Sequence, residues 1–233
     1  MKALSELWKA VEDRRIGTTS FFYLSPTHYA IYRDLVTLFK KYVKGLTLDI
    51  GAGRLAWKPW IEKLSSGYFS SDIKQGNKAL DFISDASYLS VKDNILDTAV
   101  CLQVLEHVKN PQGILKDIAR ALKKDHYGIV SFPHLSYIHG APEDYFRYTI
   151  YGLKSLLPEE FKVELFKESG GIICFIFTPF FIFMHSICSK IPLLRNVAFL
   201  FLAAFSVIIF YVDKILGMKK IYPLNYIVVL KKC

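Results

Sequence analysis

The residues whose types and spacing suit chemistry begin at one turn. Leu46-Thr47-Leu48-Asp49-Ile50 is a short apolar run with strand character, and it leads directly into Gly51-Ala52-Gly53. Two glycines there let the backbone turn tightly and approach a bound ligand, as a nucleotide site at a strand end requires. Spacing alone leaves two cofactors open. Gly51, Gly53 and Ala56 satisfy G-x-G-x-x-A, and Asp72 lies where a dinucleotide fold places the carboxylate for its ribose, so a nicotinamide oxidoreductase fits the pattern. Asp49 argues the other way: beside a pyrophosphate another anion gains nothing, whereas a cofactor carrying positive charge and an amino group is attracted to it.

Two further segments tilt the choice. Cys101-Leu102-Gln103-Val104-Leu105-Glu106-His107-Val108 resembles the QVLEHV segment of class I S-adenosylmethionine-dependent methyltransferases, and Tyr222-Pro223-Leu224-Asn225, ahead of Tyr226 to Leu230, resembles the approach to their antiparallel last strand. The resemblance covers roughly residues 45–170 and the final ten. It implies S-adenosylmethionine as cofactor and a role for each matching residue. Asp49, Gly51, Ala52 and Gly53 would border its amino acid and ribose portion, and Asp72 would accept hydrogen bonds from the ribose hydroxyls. Asp85, with Ala86 beside it, would lie near the adenine amino group, and Gln103 near the methionine moiety. One departure stands out: many family members have a third glycine where this chain has Leu55, which implies a shifted or narrower turn. Read without the resemblance, Asp49 caps the turn, and Asp72 and Asp85 are strand-end turn residues.

The acceptor side is sought after the strand YGIVSFP, in the stretch Pro133 to Thr149, because a loop leaving the carboxyl edge of such a sheet faces the ligand. Its run HGAPEDYFRYT also resembles, more loosely, a segment of methyltransferases found among glycan-biosynthesis enzymes. Methyl transfer is a direct displacement at carbon, so the protein must align the acceptor and, for a hydroxyl, remove a proton. His139 or His134 is the candidate base, Asp144 its orienting partner, and Arg147 a holder of an anionic group. The competing reading makes Asp144 and Arg147, three apart, a salt bridge opening the next helix. Glu106 and His107 read as structural.

These residues need elements to hold them. Residues 3–15 form a short amphipathic pattern; Ser25 as N-cap and Pro26 at the first helical position then open a helix in which Tyr29, Tyr32, Leu35, Leu38, Phe39 and Val43 recur at helical spacing. From Gly45 strands and helices alternate through LTLDI, a helix reaching Trp60 and Lys63, YFSSD, DFISD, DTAVCLQV, a helix over PQGILKDIARALKK, and YGIVSFP. FKVELFKES and YIVVLKK close the series. The alternation predicts an α/β fold: a doubly wound, mostly parallel, Rossmann-like sheet of seven strands, with an apolar helical insertion before the last. The expected divisions are an N-terminal helical extension (1–44), a cofactor-binding core (45–170), the insertion (171–221) and the last core strand (222–233).

Composition bounds the rest. At 233 residues the chain holds one substantial core with additions, and 52% hydrophobic with 22% charged residues excludes disorder. Lys and Arg outnumber Asp and Glu by 23 to 20 before Gly171 but by 7 to 1 from there on, so most of the net +9 accompanies the most apolar quarter. A basic rim on an apolar surface suits anionic lipid rather than nucleic acid. Cys101, Cys174, Cys188 and Cys233 form no C-x-x-C pair, so neither a metal site nor a disulfide framework is expected, and the first residues lack the apolar core of a secretory signal. In the insertion, the charge-free runs Ile172 to Cys188 and Val197 to Tyr211 are short for a bilayer crossing. Helices lying on the cytoplasmic membrane surface, with Lys214, Lys219 and Lys220 at the headgroups, are therefore preferred over a hairpin or a homodimer contact. The resulting expectation is a methyltransferase acting on a hydroxyl or carboxylate of a small-molecule, glycan or lipid-linked acceptor. The alternatives are a nicotinamide oxidoreductase and a non-catalytic, membrane-attached cofactor-binding protein.

Overall fold

The structure is a computed structural model that describes residues 2–74 and 79–233. Contacts divide the chain into two compact units, one of Val36–Lys167 with Asn225–Cys233 and one of Met1–Leu35 with Glu168–Leu224. The insertion read from sequence (171–221) and residues 1–35 of the expected N-terminal extension thus belong to one unit, while Val36–Lys44 belong to the other.

The larger unit is built on a seven-stranded sheet of order β3-β2-β1-β4-β5-β7-β6. Its strands are β1 (Leu46–Ile50), β2 (Gly67–Asp72), β3 (Phe82–Ile83), β4 (Leu96–Leu102), β5 (Leu122–Pro133), β6 (Phe161–Ser169) and β7 (Asn225–Lys232). β1 to β5 pair in parallel, and β7 runs antiparallel to β5. The expected fold is therefore the observed one. β7 reads as a continuous apolar run because strands flank it on both sides and bury it from Asn225 to Leu230. Chain order reverses at β1, which lies between β2 and β4, and ligands bind outside the carboxyl ends of strands at such a point.

Helix α4 (Pro111–Ala121) shows how the sequence supports this sheet. Asn110 caps it by accepting from the Gly113 amide at 3.0 Å, Pro111 takes the first helical position, and Ile114, Leu115, Ile118 and Ala121 bury one face against Cys101, Val130 and Phe132. The helix ends at Ala121, three residues before the expected Lys124, because Leu122 already pairs with Leu96 in the sheet. The helix after β1 is also shorter than expected: α3 spans only Lys58–Ile61 and tightens into a 3-10 turn, Glu62–Leu64.

The second unit is helical. It contains α1 (Lys2–Asp13), the first half of α2 (Pro26–Tyr42), α6 (Ile172–Cys188), α7 (Pro192–Ile215) and α8 (Met218–Ile221); α5 (Ile150–Leu156) belongs to the other unit. Ser25 caps α2, its Oγ accepting from the His28 amide at 3.3 Å. α7 corrects the reading of the insertion. It continues past Arg195 and through Asp213, so it is 24 residues long, apolar and mostly exposed, and long enough to cross a membrane by length and composition. Counting charge-free residues missed this because Asp213 is 1% exposed and used internally: its Oδ1 accepts from the Ile173 amide at 3.0 Å, satisfying the N-terminus of α6.

Candidate functional site

The turn after β1 is held from three sides. Gly51 has φ +68°, and a Cβ there would lie 2.4 Å from Val104 Cγ2, so only glycine lets the loop after β4 come this close. Gly53, at φ +53°, faces open space where its Cβ would be. The Ala52 amide donates to Ser71 O at 3.0 Å, and the Gly53 amide to Asp72 Oδ2 at 2.8 Å. The end of β2 therefore positions the turn, while among the described residues Asp72 Oδ1 has a long contact, 3.4 Å from the Lys74 amide. Leu55 adopts φ +62°. Leu55 thus holds a left-handed backbone with a buried side chain, so the turn keeps its path and spends strain on it.

Asp49 is 3% exposed and accepts a 2.9 Å hydrogen bond from Tyr68 Oη. Burial pushes its pKa up to about 7; the Tyr68 bond opposes this and the nearby Asp72 adds to it. A buried carboxylate in this state is poised for a cationic partner. Tyr68 was not legible as a site residue: it reaches Asp49 only because β2 lies alongside β1, pairing Thr47 with Tyr68 and Asp49 with Ser70. Ser71 Oγ, also at the carboxyl end of β2, is buried without a hydrogen-bond partner among the described residues.

The remaining cofactor candidates divide. Gln103 sits at φ +55° beyond β4, its amide donating to Ser131 O at 2.9 Å and its Nε2 to Ser131 Oγ at 3.2 Å, a strained backbone at a strand end. Asp85 is exposed and closes an Asx turn by accepting from the Ser87 amide at 2.8 Å, while Ala86 packs in the core. Sequence reasoning missed what holds this loop. Asp117 Oδ2 accepts from the Leu89 amide, and Arg120 donates to Leu89 O at 3.0 Å and Val91 O at 2.9 Å, tying it to α4.

Past Gln103 the chain reaches the acceptor-side cluster. Glu106 is fully buried, and among the described residues neither carboxylate oxygen has a hydrogen-bond partner. His139 Nε2 lies 3.7 Å and His107 Nε2 3.9 Å from its Oε1, the two rings meeting edge to face at 4.9 Å. His107 Nδ1 donates to Glu143 O at 2.5 Å and His139 Nδ1 to Tyr137 O at 3.2 Å, so each ring turns Nε2 toward Glu106. The Glu106 carboxylate raises the pKa of His139, against the opposing effect of burial. Glu106, His107 and His139 also bring their donor atoms within 4.8 Å of one another, close enough for one metal ion to reach all three. Residues 107 and 139 come from different loops, so no sequence spacing announced the group.

Asp144 and Arg147 serve this cluster differently from expectation. Arg147 places Nη1 2.6 Å from Asp144 Oδ1 and Nη2 2.9 Å from Oδ2, and donates as well to Tyr137 O and Phe146 O, both at 2.8 Å. Its fork is committed to the loop and is not presented to a ligand anion. This is the salt-bridge reading, except that the pair braces an irregular loop; the next helix is capped by Thr149, which accepts from the Gly152 amide. The guanidinium holds the Asp144 carboxyl well below the usual range, and Asp144 in turn accepts from the His139 amide at 2.8 Å. His134 is used structurally: its Nδ1 donates to Tyr148 O at 2.8 Å. Of the two candidate bases, His139 alone faces the buried carboxylate.

Residues 48–130 match the family model described as "Methyltransferase domain". No curated protein is similar to the chain. Among solved structures, phosphoethanolamine N-methyltransferase 2 of Haemonchus contortus in complex with S-adenosyl-L-methionine superimposes with a TM-score of 0.58 at 12% identity, over 86% of this chain and 52% of that one. An S-adenosylmethionine-dependent methyltransferase of Mesorhizobium loti gives 0.52 at 13%, over 85% and 96%. The cyclase SpnF gives 0.55 at 16%, over 87% and 81%. At these identities the likeness is one of fold.

Proposed function

We propose, for a chain whose residues 48–130 form a methyltransferase domain, that it transfers a methyl group from S-adenosylmethionine to a hydroxyl or carboxylate of a glycan or lipid-linked acceptor. The observation that carries this reading is Asp49. A carboxylate buried beside the Gly51–Gly53 turn and held near neutrality by burial fits a cofactor with a cationic sulfur and an amino group, and is ill suited to a pyrophosphate. The four-residue α3 weighs against the dinucleotide alternative too, since one helical turn offers little dipole to a pyrophosphate.

When bound, S-adenosylmethionine supplies an electrophilic methyl carbon on a sulfonium. The chain's own residues do the rest. Asp49 and the glycine turn would hold the amino acid end, Asp72 Oδ1 would receive ribose hydroxyls, and Gln103 would border the methionine moiety. Asp85, exposed beside the core residue Ala86, would lie toward the adenine. On the acceptor side His139 Nε2 takes the proton of a hydroxyl as the new bond forms, Glu106 stabilises the imidazolium, and Asp144 with Arg147 keep the His139 loop in place. A carboxylate acceptor needs alignment only.

The loose likeness of HGAPEDYFRYT to glycan-pathway methyltransferases supports a sugar-containing acceptor, and the exposed apolar α7 supports a lipid-linked one met at the cytoplasmic membrane surface. The fold leaves the reaction open, since SpnF on the same framework is a cyclase. The test is a labelled-methyl assay on lipid and sugar extracts with the wild type, Asp72→Ala and Arg147→Ala. Asp72→Ala should weaken cofactor binding roughly 10- to 100-fold, the worth of about 1.5–3 kcal/mol in hydrogen bonds to a charged group. Arg147→Ala should keep cofactor affinity and lose turnover. Absence of label in every extract, with cofactor bound, would leave a binding protein without methyl transfer.

A further inference from the structure

The helical unit contains a cavity of about 450 Å³ lined by Arg14, Arg15, Arg195, His185, Val11, Thr18, Ser20 and Asn196, which the methyl-transfer reading does not use. Three guanidinium groups share it. Among the described residues none has a carboxylate partner; their contacts are neutral. Arg14 Nη1 donates to Ser189 O at 3.4 Å, Arg195 Nε to Asn196 Oδ1 at 3.4 Å, and Arg15 stacks on Phe199 with its Cζ 3.6 Å from the ring centroid. Like charges gathered without a counter-charge repel, and burial together with Arg195 and Arg14 holds the Arg15 pKa below its ordinary value. His185, also lining the cavity, is 4% exposed, and among the described residues its Nε2 has no hydrogen-bond partner; burial, then Arg15, pushes its pKa down to about 4, so the ring is uncharged at neutral pH. Three guanidiniums around one cavity, none with a carboxylate partner among the described residues, are half of a polar site whose other half is an oxyanion.

The surroundings narrow the anion's source. Arg195 stands in the first turn of α7, flanked by Leu193, Leu194, Val197, Leu200 and Phe201, of which Leu193 and Phe201 are 76% and 74% exposed. An arginine-lined cavity whose Arg195 stands beside exposed aliphatic and aromatic side chains matches a phosphate ester that carries a hydrocarbon chain.

We propose that Arg14, Arg15 and Arg195, with His185, form a binding site for a phosphate monoester or diphosphate oxyanion, the headgroup of an anionic lipid. All the lining residues belong to the helical unit, and the site's existence does not depend on the methyltransferase reading.

The experiment uses the full chain. Flotation with phosphatidylcholine vesicles, with and without about one fifth phosphatidic acid, tests the lipid source, and a thermal-shift titration with inorganic pyrophosphate tests the free anion. The wild type should bind phosphatidic acid vesicles in preference to neutral ones and be stabilised by pyrophosphate. Arg195→Gln and Arg15→Gln should each lower vesicle affinity at least 10-fold and abolish the pyrophosphate shift. The control Lys9→Gln, which removes the same single charge from an exposed position of the same unit outside the cavity lining, should stay within 2-fold. Arg14→Gln, at an exposed position, serves if either of the others fails to fold. A pyrophosphate shift lost in the arginine variants, with vesicle binding unaltered, assigns the site to the free anion. Equal losses in arginine and lysine variants, or none in either, overturn it.

Discussion

At the scale of single residues, Asp49 and Glu106 set the chemistry because both are carboxylates buried where water cannot screen them. The Asp49 pKa of about 7 lies above the ordinary 3.8, so the folded chain holds a proton there that the unfolded chain sheds. Its contribution to stability is present in acid and is lost as pH rises from about 4 through 7. A cation bound beside it favours the ionised form. The affinity for S-adenosylmethionine should therefore rise between pH 6 and 8 more steeply than that for S-adenosylhomocysteine, whose sulfur is neutral; calorimetry at both pH values measures the difference. Equal slopes would place Asp49 away from the sulfonium. Glu106 raises the His139 pKa, and the base must be neutral to act, so turnover should fall below a pH higher than the ordinary histidine value. Glu106→Gln should move that acid limb to lower pH. If a chelator abolishes turnover and a divalent cation restores it, Glu106, His107 and His139 are metal ligands instead.

At the scale of elements, the turn after β1 shows two solutions to one backbone problem. Gly51→Ala forces a Cβ to 2.4 Å from Val104 at φ +68°, which should cost about 1–3 kcal/mol and remove cofactor binding. Leu55→Gly relieves about 1–2 kcal/mol of left-handed strain but loses a buried side chain worth about 2–5 kcal/mol, so packing wins and the variant should be less stable. Thermal melts of the two variants check both signs. The sequence made Gly51 legible because glycine has few reasons to end a strand twice in three residues. Leu55 was legible only as a departure, since nothing in a leucine announces a positive φ. Asp144 and Arg147 were legible as a pair, but whether a guanidinium turns to a ligand or to carbonyls depends on loop path. Glu106 was read as structural; its place between Leu105 and the two histidines emerges only when the loops after β4 and β5 meet.

At the scale of the whole molecule, alternation of strands and helices prescribed the sheet, because parallel strands need crossovers and buried strands need apolar runs. The division into units was less legible, since residues 1–35 and 168–224 are remote in sequence and the periodicity of each says nothing of its partner. Asp213 is the instructive case: an acidic residue that ended an apolar run on paper caps a neighbouring helix in the fold. The central claim, that the acidic carboxyl end of β1 and its glycine turn hold a sulfonium nucleoside, is tested most directly by calorimetric titration of the full chain with S-adenosylhomocysteine and, separately, with NAD. The account predicts saturable binding of S-adenosylhomocysteine, weakened at least 10-fold in Gly51→Ala, and no heat with NAD. Tight NAD binding with no response to S-adenosylhomocysteine would contradict it.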